Sequence, residues 1–310
     1  MSVERGVNMK KIMTVVFFLF GLVSSFGFEP VVKDLNVGGW DIQPLLYTRM
    51  QVSTEPLSNG KNFFIGNIRQ SVFASQKNGL LVDEQVELVN VDKKYANNLR
   101  LLDVGMKLGD DSILRVGRVF AGAGYFLPYQ SDLNTFNFMR EPWGYYTYAL
   151  QFEKKNDKIW FLTDIGGASG KPFNSSENFD RVEVSQMMLL KVLDQLKVGY
   201  NFQVSDDLRK EGLLAKISPI KDLSIDIEAY TTQGDVSSHG QFVLAAYKAT
   251  KTIELHVGFD QQFGLGTADI VKAGMMYKSP TGRFRVIADY DKYVGDDAKS
   301  GLYVIFGMNL

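Results

Sequence analysis

The 310-residue chain has no cysteine, only two histidines and only eight prolines. Without cysteine it can have neither a disulfide framework nor a thiolate metal site. Lysine and arginine (34) nearly balance aspartate and glutamate (35), so the chain lacks the basic excess that nucleic-acid binding requires. We therefore predict no nucleic-acid partner, no metal and no cofactor.

Long apolar runs are also missing, and no stretch approaches the 18 residues of a membrane-spanning helix. The one notable run, residues 12–23, follows Lys10 and Lys11 and precedes the small residues Ser25 and Gly27. This order is typical of an export signal that a signal peptidase removes, and a buried core helix is the alternative. We expect residues 1–27 to be a signal peptide, of which residues 1–8 precede the true start at Met9 because the start of the reading frame was misplaced. Residues 28–310 are expected to form a single domain.

What the sequence has in abundance is alternation of apolar and polar residues. Such a period of two is typical of a strand, whose side chains point alternately to opposite faces. Two apolar segments, 185–196 and 206–217, could also be helical. In all, sixteen segments are predicted strands: 44–53, 63–75, 80–91, 98–108, 112–120, 143–153, 158–166, 178–190, 195–204, 210–218, 222–230, 240–249, 252–261, 269–278, 282–290 and 301–310.

The connections between these segments alternate between long and short. Residues 54–62 form a long connection and 76–79 a tight one, then 91–98 is long again. Transmembrane barrels have short turns at one end, longer loops at the other and an even number of strands. The sequence thus predicts an all-β, antiparallel transmembrane β-barrel of about 16 strands (14–18) in the lipid of the bacterial outer membrane. A secreted or periplasmic all-β protein is the alternative.

The last ten residues fit this architecture. Apolar side chains occupy every second position of 302–310, which indicates that one face of a final strand meets lipid. Pairing of this strand with the first strand would leave no open edge. Aromatic residues near the predicted strand ends are typical of the girdles at membrane interfaces: Phe120, Trp143, Tyr230, Phe259, Tyr277 and Tyr290.

The opposite face of the predicted strands carries charge. Side chains of both signs on opposing walls would favour polar solutes over apolar ones, or would simply pair and keep the interior hydrated. By parity, the inward-facing charges are Arg115, Lys197, Lys272, Arg283, Arg285, Asp103, Asp226, Glu228, Glu254 and Asp289.

The connection after the fifth predicted strand, residues 121–142, is the longest. A third loop of this length that folds into the lumen is the arrangement of sixteen-stranded porins, which the chain resembles. More narrowly, Arg115-Val116-Gly117 and Phe138-Met139-Arg140 resemble two segments of the phosphate-selective porin family. The chain departs from that family at residues 121–124, where Ala-Gly-Ala-Gly replaces a Pro-Phe-Gly turn, and it has few basic residues in the loop.

The resemblance implies a channel for passive diffusion of small hydrophilic solutes or ions, and a possible homotrimer. A structural or adhesive barrel is the alternative. With two acidic residues and one basic residue in the loop, we expect near-neutral or mildly cation-selective conduction. An inward loop implies these candidate constriction residues: Tyr125, Tyr129, Asp132, Arg140 and Glu141.

No catalytic constellation stands out. Of the two histidines, we expect His256 to be solvated in the pore and His239 to lie in an external loop beside Ser238, without a partner carboxylate. The sequence therefore predicts that the protein is not an enzyme.

Overall fold

The structure, a computed structural model, describes residues 35–53, 63–91, 94–120, 146–167, 182–206, 208–234, 237–263, 268–280, 284–294 and 300–309. No helix within these segments has the length and apolar character that crossing a membrane requires. The predicted signal peptide (1–27) and the connection 121–142 lie outside the described residues.

The described residues form 17 strands. Their bounds are β1 Leu35–Val37, β2 Trp40–Ser53, β3 Phe63–Gln76, β4 Leu80–Val91, β5 Lys94–Lys107, β6 Ser112–Phe120, β7 Tyr146–Lys155, β8 Ile159–Gly166, β9 Glu183–Leu193, β10 Leu196–Ser205, β11 Leu208–Ile220, β12 Leu223–Gln233, β13 Ser238–Lys248, β14 Ile253–Phe263, β15 Ala268–Lys278, β16 Phe284–Val294 and β17 Ser300–Asn309.

Antiparallel pairing of these strands forms a ring. Each strand from β2 to β16 pairs with the next one, including β9 with β10, and β17 pairs back with β2 over Tyr303↔Ser53 to Asn309↔Tyr47. Sixteen strands therefore take part in the ring, as the sequence predicts. Because each strand has a partner on both sides, the ring has no open edge, which is the condition for strands to cross a bilayer.

The seventeenth strand, β1, is a short arm that the sequence pattern does not predict. It pairs with the first residues of β2, beyond the point where β17 ends. A two-residue turn joins it to β2, and both turn residues, Gly38 and Gly39, have positive φ angles of 58° and 82°. Such a turn matches the twist of the two strands and favours glycine at both positions.

All sixteen predicted segments are strands in the structure, and the two segments that could have been helical are β9 and parts of β10 and β11. The predicted long connection 91–98 is wrong. Lys94–Asn98 belong to β5 and pair with Val91–Glu87 of β4. Main-chain pairing continues there because it needs no apolar side chain, so a polar strand end looks like a loop in the sequence.

Short turns join strands at one end of the ring and are closed by local hydrogen bonds. Asn156 illustrates this between β7 and β8: its Oδ1 accepts hydrogen bonds from the Lys158 and Ile159 main-chain N–H groups at 3.0 and 3.1 Å. Asparagine favours turns because its side chain can replace a main-chain acceptor in this way.

The two faces of the sheet differ in chemistry. On β14, Leu255 and Val257 are exposed, whereas Glu254 and His256, which alternate with them, are buried. The same alternation occurs on β5, where Val104 is exposed and Asp103 is buried. A ring of strands with an exposed apolar face and a buried charged face is suited to lipid outside and polar groups inside.

The inner face also contains a stripe of large apolar side chains, which the alternation pattern alone does not predict. Register pairs these side chains with charged residues of the same face, for example Phe242 with Glu228 and with Asp260. Trp160 and Leu162 pack against the stripe, whose buried members are Met187, Leu189, Leu214, Tyr230, Phe242, Leu244, Met276 and Ile287.

Tyr230 is therefore not a girdle residue. It is buried on the inner face, where its ring lies against Gly240 of the neighbouring strand. A Cβ at Gly240 would come within 2.6 Å of the tyrosine ring, so only glycine leaves room for it. Tyr290 and Phe120, in contrast, are exposed, and Tyr290 lies on the outer face as a girdle requires.

Candidate pore wall

The predicted site residues fall into two groups. The five constriction candidates, Tyr125, Tyr129, Asp132, Arg140 and Glu141, lie outside the described residues, and so does Arg283. The others belong to strands of the ring: Arg115 to β6, Asp226 and Glu228 to β12, Lys272 to β15 and Arg285 to β16.

Arg115 is held by two carboxylates from neighbouring strands. Its Nη1 donates hydrogen bonds to Asp83 Oδ2 on β4 and, at 3.0 Å, to Asp103 Oδ1 on β5. The residue opposite Arg115 on β5 is Gly105, over which the arginine side chain passes. Because two acidic groups surround one guanidinium, this part of the wall presents no net positive charge.

Asp226 and Glu228 occupy successive inward positions of β12 and are both almost fully buried. Lys216 on β11 lies directly beside Asp226, with its Nζ 3.4 Å from Oδ1. Glu228 accepts a hydrogen bond of 3.2 Å from Asn201 Nδ2, across the intervening strand β11. Asp226 thus lies beside a cation and Glu228 accepts a hydrogen bond from a neutral amide, both on the same inner face.

The most connected charges lie on β14, β15 and β16. Lys272 Nζ is 3.2 Å from Asp291 Oδ1 and 3.7 Å from Asp289 Oδ2, and His256 Nε2 is 2.5 Å from Asp289 Oδ1. Lys272, Asp289 and Asp291 have no solvent exposure. His256 is therefore a buried partner of a carboxylate, and the expectation that it is a solvated pore residue is wrong.

Gly274 allows this contact to form. His256 and Asp289 belong to β14 and β16, and both pair in register with Gly274 on the strand between them. A Cβ on Gly274 would lie 1.9 Å from Asp289 Oδ1 and 2.6 Å from His256 Nε2. The two side chains consequently meet over a position that has none.

Two charged residues of the inner wall, Asp291 and Lys216, were not among the predicted site residues. Asp291 lies just beyond the end of the predicted segment 282–290, although it shares the parity of Asp289. Lys216 lies in a segment that could have been helical, so its face was undetermined. For Asp291 the signal was the alternation, extended by one residue, and for Lys216 it was the alternation within the predicted strand 210–218.

The second histidine offers no catalytic arrangement. His239 belongs to strand β13 instead of an external loop, and its ring stacks on Phe263 at a centroid distance of 4.8 Å. Ser238 is buried while His239 is exposed, because successive strand residues point to opposite faces. A serine and a histidine on opposite faces of a sheet cannot act as a nucleophile and its base.

The fold can be compared with solved structures. OmpF of Salmonella typhi, solved as a complex with daunomycin, superimposes with a TM-score of 0.69 at 14% identity and covers 90% of this chain and 100% of its own. The anion-selective porin of Comamonas acidovorans gives a TM-score of 0.65 at 10% identity over 87% of this chain and 100% of its own. The chain has the porin fold.

A third structure, OmpT of Vibrio cholerae in a trimer form, gives a TM-score of 0.63 at 14% identity and covers 88% of this chain and 100% of its own. All three are outer-membrane β-barrel proteins by description or fold, which agrees with the bacterial outer membrane predicted from sequence. No protein-family model and no curated protein matches the chain. The narrower resemblance to phosphate-selective porins therefore stays a prediction.

Proposed function

We propose that the protein is an outer-membrane channel through which small hydrophilic solutes or ions diffuse passively. The observation that carries the proposal is the ring of 16 antiparallel strands, exposed and apolar outside and charged inside. Charged groups of the inner wall that keep some exposure, such as Arg115 and Asp83, can replace part of the water that a solute leaves behind when it enters. The porin fold of the compared structures supports this function.

The connections support a channel over an adhesive barrel. Adhesion through external loops needs a large surface, yet at the long-loop end only residues 206–207 separate β10 from β11 and only 234–237 separate β12 from β13.

We further propose that connection 121–142 narrows the channel, with Tyr125, Tyr129, Asp132, Arg140 and Glu141 at the constriction. Conduction should be near neutral or mildly cation-selective. Arg115 is neutralised by two carboxylates, and on β14–β16 the single Lys272 faces Asp289 and Asp291. Reversal potentials in a salt gradient test this, and a strongly anion-selective value would favour the phosphate-type alternative.

A homotrimer, the form in which one compared protein was solved, is expected in mild detergent.

Liposome swelling tests the channel itself. Vesicles that contain the refolded protein should swell in isotonic arabinose or glucose, and the rate should fall steeply for larger sugars such as raffinose. Vesicles without protein are the control. If the protein inserts but no sugar enters faster than into empty vesicles, the proposed function is wrong.

A further inference from the structure

The inner wall of β7 and β8 carries a group of one aromatic and two charged side chains. Lys155 and Trp160 lie directly opposite each other in this strand pair, and Glu153 pairs with Leu162 on the same face. Trp160 and Leu162 pack against the apolar stripe, so this face is the inner one. β7 ends at Lys155 and β8 begins at Ile159, which places the group at the short-turn end of the lumen.

Trp160 contacts the acidic and the basic side chain at separate points of its indole ring. Its Nε1–H donates a hydrogen bond of 3.0 Å to Glu153 Oε1, and Lys155 Nζ lies 4.1 Å from the centre of the ring. An ammonium group over an indole face is attracted by the negative face of the π system. The indole therefore positions both charged groups and keeps them apart.

The charges of this group are not neutralised by ion pairs. Among the described residues, neither Glu153 nor Lys155 lies within ion-pair distance of an opposite charge. Arg115, Lys216 and Lys272, on the same inner wall, each contact a carboxylate. Glu153 is also partly exposed and Lys155 is exposed. A solute in the lumen can therefore form charge-assisted hydrogen bonds with both groups.

The spacing of the two charged groups matches one class of solute. Alternate residues of a strand are about 6.7 Å apart, so Glu153 and Lys155 project from the wall with roughly this separation. An α-amino acid has its ammonium and carboxylate groups about 3 Å apart, and a hydrogen bond at each end adds about 2.8 Å. A bent bridge of these lengths spans roughly 6–8 Å. A dipeptide separates its terminal charges by a further residue of about 3.5 Å, which is too long for the same bridge.

A simple ion suits this group less well, since an anion on Lys155 would lie near Glu153 and a cation on Glu153 would lie near Lys155. We propose that the group binds the zwitterionic head of a free α-amino acid, with the ammonium on Glu153 Oε2 and the carboxylate on Lys155 Nζ. The amino-acid side chain then lies over Ile113 and Leu162, the apolar neighbours of Glu153 in register, which favours apolar side chains. The proposal rests on the proposed function, because an amino acid reaches this wall through a water-filled lumen.

Fluorine NMR of the refolded protein in a mild detergent tests the site without requiring conduction. Tryptophan is replaced by 5-fluorotryptophan, and the resonance of Trp160 is identified by its loss in Trp160→Phe. Titration with L-leucine should shift this resonance saturably in the millimolar range. 4-Methylpentanoate lacks the amino group and 3-methylbutylamine lacks the carboxylate. Each should bind at least about tenfold more weakly than leucine, because each loses one hydrogen bond between charged groups.

Two variants each remove one charge of the site. Glu153→Gln and Lys155→Gln should each weaken leucine binding at least about tenfold. Glutamine at position 153 can still accept the hydrogen bond from Trp160, so the indole keeps its position. Lys155→Arg should retain binding, because arginine keeps the charge and also packs over aromatic rings.

Lys154→Gln is the matched control. Lys154 is the neighbouring lysine of β7, its side chain points to the opposite face of the sheet, and its Nζ lies 3.6 Å from Asp111 Oδ2. This change removes the same charge from the same strand but should leave leucine binding unchanged.

Equal binding of leucine and its two analogues, no saturable shift, or equal weakening in Lys154→Gln and Lys155→Gln would overturn the proposal. If the charge variants fail to fold, as judged by heat-modifiable gel migration, the comparison of analogues on the wild-type protein still decides. Sugar entry into vesicles is measured separately. A protein that binds leucine but admits no sugar contradicts the proposed function alone, and one that admits sugar but does not bind leucine contradicts the amino-acid site alone.

Discussion

Replacement of Gly274 by alanine should destabilise the barrel through one identified contact. The new Cβ would lie 1.9 Å from Asp289 Oδ1, 2.6 Å from His256 Nε2 and 2.7 Å from the Ala288 main-chain oxygen. The two side chains can swing away, but their 2.5 Å contact is then lost, which costs about 1.5–3 kcal/mol for a hydrogen bond to a charged group. The main-chain oxygen is less free to move, and overpacking of this kind costs a further 1–3 kcal/mol or so.

Urea unfolding of the refolded protein in lipid vesicles measures the free energy of unfolding, which we expect Gly274→Ala to lower by about 3–5 kcal/mol. Gly105→Ala is a suitable control, because its Cβ would come no closer than 3.2 Å to any neighbour, and its cost should be far smaller. His256→Ala should cost at least about 1 kcal/mol less in the Gly274→Ala background than in the wild type, since both changes remove the same contact. Additive costs, or a loss below about 0.5 kcal/mol for Gly274→Ala, would refute the reasoning.

Three other changes test separate parts of the structure. Arg115→Gln leaves two carboxylates without their cation, so it should cost about 2–3 kcal/mol in urea unfolding and increase cation preference in reversal potentials. Val257→Arg places a charge on the exposed outer face of β14 and should cost about 2–4 kcal/mol in vesicles, if that face meets lipid. Hydrogen bonds from Asn156 and Ser112 hold the pKa of Asp111, in the β5–β6 turn, below its ordinary value of 3.8. Asn156→Ala should raise that pKa in an NMR titration of the carboxyl group.

For each of these variants one result would contradict the expected change in stability or pKa. Because the folded pKa of Asp111 is depressed, its contribution to stability is complete above pH 3.8 and is lost as pH falls through the folded pKa. An unchanged pKa in Asn156→Ala would contradict the assigned hydrogen bond. Val257→Leu is the control for the outer face, and equal stability of the leucine and arginine variants would place Val257 outside lipid. An Arg115→Gln barrel of wild-type stability would show that the carboxylates need no cation.

The strands could be predicted because the sheet has two different environments. Wherever lipid faces one side and polar groups the other, side-chain polarity must alternate, as on β14, and every such segment was found. The alternation is lost where both faces of a strand carry side chains of the same polarity. Both faces of 187–190 are apolar, so strand and helix could not be separated, and the polar start of β5 was taken for a loop.

The inner wall was less accessible to sequence reasoning, for a geometric reason. Parity placed Lys272 and His256 on the inner face, but the contact of His256 with Asp289 depends on register across two strand pairs and on the missing side chain of Gly274. No local pattern encodes a pairing between residues 33 positions apart. The apolar stripe was overlooked because alternating apolar residues were assigned to lipid, although Phe242 and Leu244 alternate on the inner face as well.

Single-channel recording in planar bilayers tests the central claim most directly. Addition of the refolded protein should produce discrete conductance steps of one characteristic size, which increase in proportion to salt concentration as expected for a water-filled pore. Protein that inserts, shown by protease protection and heat-modifiable migration, but produces no conductance steps at any salt concentration would contradict a channel.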